Sequence, residues 1–83
     1  MIACVKLFAI LREKVGTSDL TLELPEGATV DDLLKEMDRR YPTLFDVTSP
    51  AMVAVNTEYA QGSHPLHDGD EVALIPPVSG GLR

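Results

Sequence analysis

A single cysteine, Cys4, is all the thiol this chain of 83 residues carries, so no internal disulfide can close and no metal site can be built from thiolates alone. Cys4 sits between Ala3 and Val5 with no cationic neighbour to stabilise a thiolate, and is expected to pack rather than react. Cations are scarce, with 7 Lys and Arg against 13 Asp and Glu and a formal net charge of −6. That balance points away from nucleic acid and from anionic membranes, and a macromolecular partner should present a basic patch. No apolar run approaches the roughly 20 residues of a membrane span. The start Met1-Ile2-Ala3-Cys4-Val5-Lys6 lacks the pattern of a secretory signal, so a cytoplasmic location is expected.

Catalytic constellations are equally scarce. There is no phosphate-binding loop, no dinucleotide fingerprint and no local signature of a Ser-His-Asp set. His64 and His67 are three residues apart with Asp68 nearby, but a Pro-containing loop fixes no coordination geometry, and an exposed turn is the simpler reading. The acid pairs Asp31-Asp32 and Asp70-Glu71 suit helix capping and turn solvation better than general acid and base work. An enzyme acting on its own is not expected.

What is present is one small domain, which buries only about 60% of the surface its unfolded chain exposes and so has room for one core. Residues 2 to 8 alternate as a strand, with Ala3, Val5 and Leu7 inward and Phe8 on the opposite face. Ala9 to Gly16 places Leu11 and Val15 on one side of a short helix that a glycine closes. Leu20 to Leu24 alternates again until Pro25-Glu26-Gly27 breaks it. Thr29 with Asp32 is a variant capping box. It opens the principal helix, whose apolar stripe is Val30, Leu33, Leu34, Met37 and Tyr41 and which Pro42 ends. In the loop that follows, Leu44, Phe45 and Val47 are expected to tuck under the core. Met52 to Asn56 is nearly all apolar, as in a strand covered on both faces or buried at one end. A brief edge strand is expected within residues 57 to 62. An Asp-Gly turn at Asp68-Gly69 then feeds a last strand with Val72 and Leu74 inward.

One sheet packed on one main helix, with the first and last strands adjacent at its centre, satisfies the single-core limit. That is an α+β fold, the ubiquitin-like β-grasp, over residues 1–77, with residues 78–83 as a flexible C-terminal tail. Pro76 and Pro77 lack backbone N–H groups, so they end the ladder and start a stiff lead-out. Val78, Ser79, Gly80 and Gly81 follow with little side-chain bulk, as a chain needs if it must thread a narrow channel in another protein. Phe8 and Ile75 would meet beside the exit of the last strand. Rimmed by Arg12 and Tyr59, they are the expected docking patch, unless the short helix or a loop covers them.

Three segments carry a resemblance. Phe8-Ala9-Ile10-Leu11-Arg12-Glu13, the turn Leu66-His67-Asp68-Gly69-Asp70-Glu71-Val72 and the ending Pro76-Pro77-Val78-Ser79-Gly80-Gly81 resemble the small, sulfur-carrying subunit family of molybdopterin synthase. The resemblance covers nearly the whole chain. It implies that the Gly81 carboxyl is adenylated by an E1-like adenylating enzyme using ATP and Mg²⁺. A sulfur donor protein then converts it to a thiocarboxylate, which enters the large subunit and gives sulfur to a cyclic pyranopterin monophosphate. It also implies a carrier that binds no cofactor of its own, within a heterotetramer of two small and two large subunits. The same fold admits a sulfur carrier for thiamine, cysteine or tRNA thiolation, a ubiquitin-like modifier, or an inert interaction module. Leu82 and Arg83 follow the Gly-Gly pair, so a free Gly81 carboxyl requires their removal.

Overall fold

In the computed structural model, which describes residues 1–42, 44 and 52–76, the alternation of the first segment becomes strand β1, Ile2–Leu7. Ala3, Val5 and Leu7 are buried and the residues between them are not. Helix α1, Ala9–Val15, follows, with Leu11 buried and Gly16 closing it in the left-handed conformation at φ 93°. Strand β2, Asp19–Glu23, runs back antiparallel to β1.

Helix α2, Val30–Arg40, begins with both halves of the capping box in place. The Thr29 N–H donates to the Asp32 carboxylate at 2.9 Å, and the Asp32 N–H donates to Thr29 Oγ1 at 3.4 Å. Two orphan donors of the first turn are thereby satisfied. The loop before β5 adds to this anchorage, because Val30 and Asp31 donate their N–H groups to the carbonyls of His64 and Gly62. Gly62 lies so close to the helix start that a Cβ there would meet the exposed Asp31 carboxylate, which would have to turn aside. Val30, Leu33 and Met37 are buried, while Leu34 and Tyr41 pack half-buried against the same core.

Strands β3, Met52–Val55, β4, Glu58–Tyr59, and β5, Glu71–Ile75, complete a sheet of order β2-β1-β5-β3-β4 among the described residues. The last strand lies at the centre, parallel to β1 and antiparallel to β3. The inner face, with Val5, Leu7, Leu22, Val53, Val55, Val72 and Leu74, meets α2 in one cluster that also takes in Leu11, Leu44 and Leu66. This is the β-grasp, as the order of elements predicts. The expected positions of Phe45 and Val47 lie outside the described residues, as do Pro77 and the tail 78–83. No helix among the described residues is long and apolar enough to cross a membrane.

Candidate functional site

The strand period that sends Leu7 and Leu74 inward sends their neighbours outward, and register decides which of those neighbours meet. Lys6 lies opposite Asp19 on one side and Ala73 on the other, Ala73 opposite Ala54, and Ala54 opposite Tyr59. One row of the outer face therefore reads Asp19, Lys6, Ala73, Ala54, Tyr59. The next row toward the end of β5 has Ile75 opposite Met52, with Phe8 directly after the β1 residue that pairs with Leu74. Phe8, Ile75 and Met52 thus form an apolar row where the chain leaves the sheet. The two alanines leave the centre of the face low.

Phe8 is held outward by the backbone. It is extended, at φ −125° and ψ 153°, and serves as N-cap of α1 without a side-chain cap bond. Ala9 takes the turn with a left-handed φ of 52°, a conformation that costs a residue with a Cβ about 1–2 kcal/mol. The helix that follows sends Leu11 into the core, and Phe8 stays 47% exposed. Of the two expectations for Phe8, the open one holds. Ile75 is half-buried, Pro76 likewise, and Arg12 is exposed. An open cleft of ≈ 460 Å³ is lined by Phe8, Arg12, Lys6, Glu71, Ala73 and Thr57 among others. Tyr59 shares the outer face but stands on the edge strand, three strand spacings or roughly 14 Å from the Phe8 strand, so it bounds the far side rather than touching the pair.

Lys6 crosses the outer face as an ion pair. Its Nζ lies 2.5 Å from Asp19 and 3.9 Å from Glu71, and the hydrogen bond to Asp19 raises its pKa while lowering that of the acid. Such an exposed pair adds little stability, but it holds the amine flat across the strands.

Below the cleft, Asp70 is largely covered, its side chain 13% exposed. It accepts from Asn56 Nδ2 at 3.0 Å and from the His67 N–H at 2.8 Å, while Asn56 Oδ1 accepts from the Glu71 N–H at 3.0 Å. The Asn56 bond, then that of His67, holds its carboxyl below the usual range. Asp70 is therefore a fastener between the β3–β4 turn and the start of β5, more than the solvated turn residue its sequence neighbourhood suggests. The sequence reading also passed over Met52, which is 48% exposed and completes the row with Phe8 and Ile75. Its alternation was hidden in the apolar run Met52-Val53-Ala54-Val55, and pairing with β5 is the signal that reveals it.

A β-grasp sheet with its final strand central, and an uncovered apolar row where that strand ends, is the architecture of the ubiquitin-like class. Residues 5–81 match the ThiS family. The chain is 44% identical over 77 residues to the molybdopterin synthase sulfur carrier subunit of Arabidopsis thaliana, covering 93% of this chain and 80% of that one. Against the Escherichia coli subunit of the same description it is 43% identical over 81 residues, covering 93% and 96%. Among solved structures, small archaeal modifier protein 1 of Haloferax volcanii superimposes with a TM-score of 0.84 at 34% identity, covering 98% of this chain and all of the other. The chain belongs to the ThiS family and, within it, to the molybdopterin synthase sulfur carrier subunits.

Proposed function

We propose that Gly81 is the point of chemistry, as the terminal thiocarboxylate that gives sulfur to a cyclic pyranopterin monophosphate. The supporting observation is a similarity of more than 40% identity to molybdopterin synthase sulfur carriers of a plant and a bacterium, together with a family match running through Gly81. Residues 1–77 form the body and 78–83 the tail that visits the partners. An E1-like adenylating enzyme uses ATP and Mg²⁺ to give the Gly81 carboxylate a leaving group. A sulfur donor protein displaces the adenylate. The thiocarboxylate is then a nucleophile that needs only access and positioning, which the large subunit supplies. Val78, Ser79, Gly80 and Gly81 are narrow enough to enter such a pocket, and Pro76 and Pro77 keep the lead-out stiff.

Phe8, Ile75 and Met52, with Arg12 at the rim and Tyr59 at the far edge, are the surface on which large subunit and activating enzyme dock in turn. The carrier binds no cofactor of its own, works in the cytoplasm where ATP is available, and assembles as two small and two large subunits. The test is reconstitution: the chain ending at Gly81, thiocarboxylated and mixed with the large subunit and the pyranopterin, should yield the dithiolene product. The carboxylate form should yield none, and equal yields from both forms would overturn the reading.

A second reading, a protein modifier, draws on the likeness to small archaeal modifier protein 1. It predicts isopeptide conjugates of this chain in its own cells. Their absence under conditions where the thiocarboxylate accumulates would leave the carrier alone.

A further inference from the structure

The two edges of the sheet differ. One is β4, Glu58–Tyr59, and the other is the longer β2, Asp19–Glu23. Hydrogen bonds from the Leu7 N–H to the Ser18 carbonyl and from the Leu24 N–H to the Met1 carbonyl, at 2.9 and 2.8 Å, bracket the β1–β2 ladder and fix its phase. By the alternation of an antiparallel pair, Leu20 and Leu22 turn their backbone groups toward β1, while Asp19, Thr21 and Glu23 turn theirs away from it. Asp19 is answered locally, because Thr17 Oγ1 accepts from its N–H at 3.4 Å and donates to its carbonyl at 3.1 Å. At the other end Pro25 has no N–H to offer. Between these stops, the N–H and C=O groups of Thr21 and Glu23 face outward from the last strand of the sheet. We infer that this edge pairs with an extended segment of another protein, cationic where it meets Glu23, which joins the five strands antiparallel to β2 as a sixth.

Charge decides the occupant. A second copy of this chain is a poor one. Setting Thr21 opposite Thr21 of the copy puts Asp19 opposite Glu23 on both sides, and like charges directly opposite destabilise a pair. Sliding the copy by two residues toward Pro25 brings that proline opposite Asp19, where the ladder loses a donor. The net charge of −6 opposes self-pairing further. A cation opposite Glu23 meets an exposed carboxylate whose neighbour on β1 is Ile2, whereas Asp19 already holds Lys6 and the Ser18 hydroxyl. The other positions follow from the two-residue period. Opposite Leu20, which packs only partly buried against the core, an apolar side chain covers what the edge leaves open. A cleft of ≈ 420 Å³ beside Leu20 and Thr21 gives it room. Opposite Thr21 a β-branched residue suits the exposed outer face.

The experiment titrates the full chain with a blocked peptide, Lys-Val-Thr-Val-Thr, whose lysine falls opposite Glu23 in the antiparallel register, and follows backbone amides by NMR. The Thr21 and Glu23 amides should shift and exchange more slowly, with binding that weakens as salt rises. A peptide methylated on the nitrogen of its central threonine should bind at least about tenfold more weakly, and so should the parent peptide to Thr21→Pro. Replacing the peptide lysine by glutamate should lose binding, and Glu23→Lys should restore it to that peptide. Should Thr21→Pro not fold, the methylated peptide on the unaltered chain still decides. Equal binding of the methylated peptide, indifference to the sign of the peptide charge, or slowed exchange confined to residues away from β2 would each overturn the pairing. Slowed exchange of Thr21 and Glu23 without peptide, growing with protein concentration, would overturn the choice of occupant in favour of a second copy.

Discussion

The two faces of one sheet are built from the same strands and do opposite things. Inside, Val5, Leu7, Val72 and Leu74 are at most 2% exposed and meet α2 in a single apolar cluster. Outside, one residue along each strand, Lys6, Ala73, Ile75 and Met52 alternate charge, small size and exposed apolar bulk. The inner face has no surface left to give a partner, and the outer face contributes little to holding the domain together. Stability and recognition are thus divided by the two-residue period of a strand, so neighbouring residues should separate cleanly in experiment.

The largest effect should come from the inner face. Leu74→Ala removes a side chain with no exposed surface and leaves a cavity, costing about 2–5 kcal/mol. In a domain this small that is a large part of the total, and urea denaturation should show the midpoint collapsing. Phe8→Ala, on the other face, should change stability by less than about 1 kcal/mol, while docking to the large subunit weakens at least about tenfold, read by titration calorimetry. If Phe8→Ala unfolds the domain, or docks normally, the division between the faces is wrong.

Much of this division was legible before any coordinates. Alternation in Ile2 to Leu7 and in Glu71 to Ile75 separated inward from outward residues, and Thr29 with Asp32 marked the start of α2 by chemistry that depends on local spacing alone. The outer face was harder. An unbroken apolar run conceals which side each residue takes, so Met52 looked like core until its partner Ile75 was known. The exposure of Phe8 depends on Ala9 adopting a left-handed φ, and a non-glycine residue does not announce that. Asp70 was misjudged because its partners Asn56 and His67 converge on it through pairing of β3 with β5.

Asp70 also links the faces, since it fastens the turn that borders the outer cleft to the strand that carries the core. Asp70→Ala leaves the Asn56 amide and the His67 N–H without their acceptor, and should cost about 1–3 kcal/mol near neutral pH. The pH dependence has a definite sign. A carboxyl held below its ordinary value of 3.8 in the fold stabilises the native state above that pH, and its contribution disappears as pH falls through the lower folded value. Glu36, lowered to about 2 by its hydrogen bonds to Arg39 and then Arg40, acts in the same sense between its ordinary value of 4.5 and about 2. Denaturation midpoints measured from pH 5 downward should fall for the parent and fall less for Asp70→Ala. Parallel curves would show that the Asp70 carboxylate is not what the turn depends on.

The smallest effect sharpens the comparison most. Asn56 and Thr57 both have positive φ, 51° and 75°, as a two-residue hairpin turn requires, yet Thr57 is β-branched where glycine is preferred. Thr57→Gly relieves that backbone and should stabilise the domain by about 0.5–1 kcal/mol after glycine's larger unfolded-state entropy is counted. Thr57 also lines the cleft beside Phe8 and Arg12, so its side chain lies within the proposed docking surface. Strain retained where a less strained residue is available is the pattern of a site shaped for contact rather than for folding. A variant that melts higher but docks more weakly would put Thr57 among the recognition residues. One that melts higher and docks equally well would confine its strain to the turn, and would draw the boundary of the docking surface at Phe8, Ile75 and Met52.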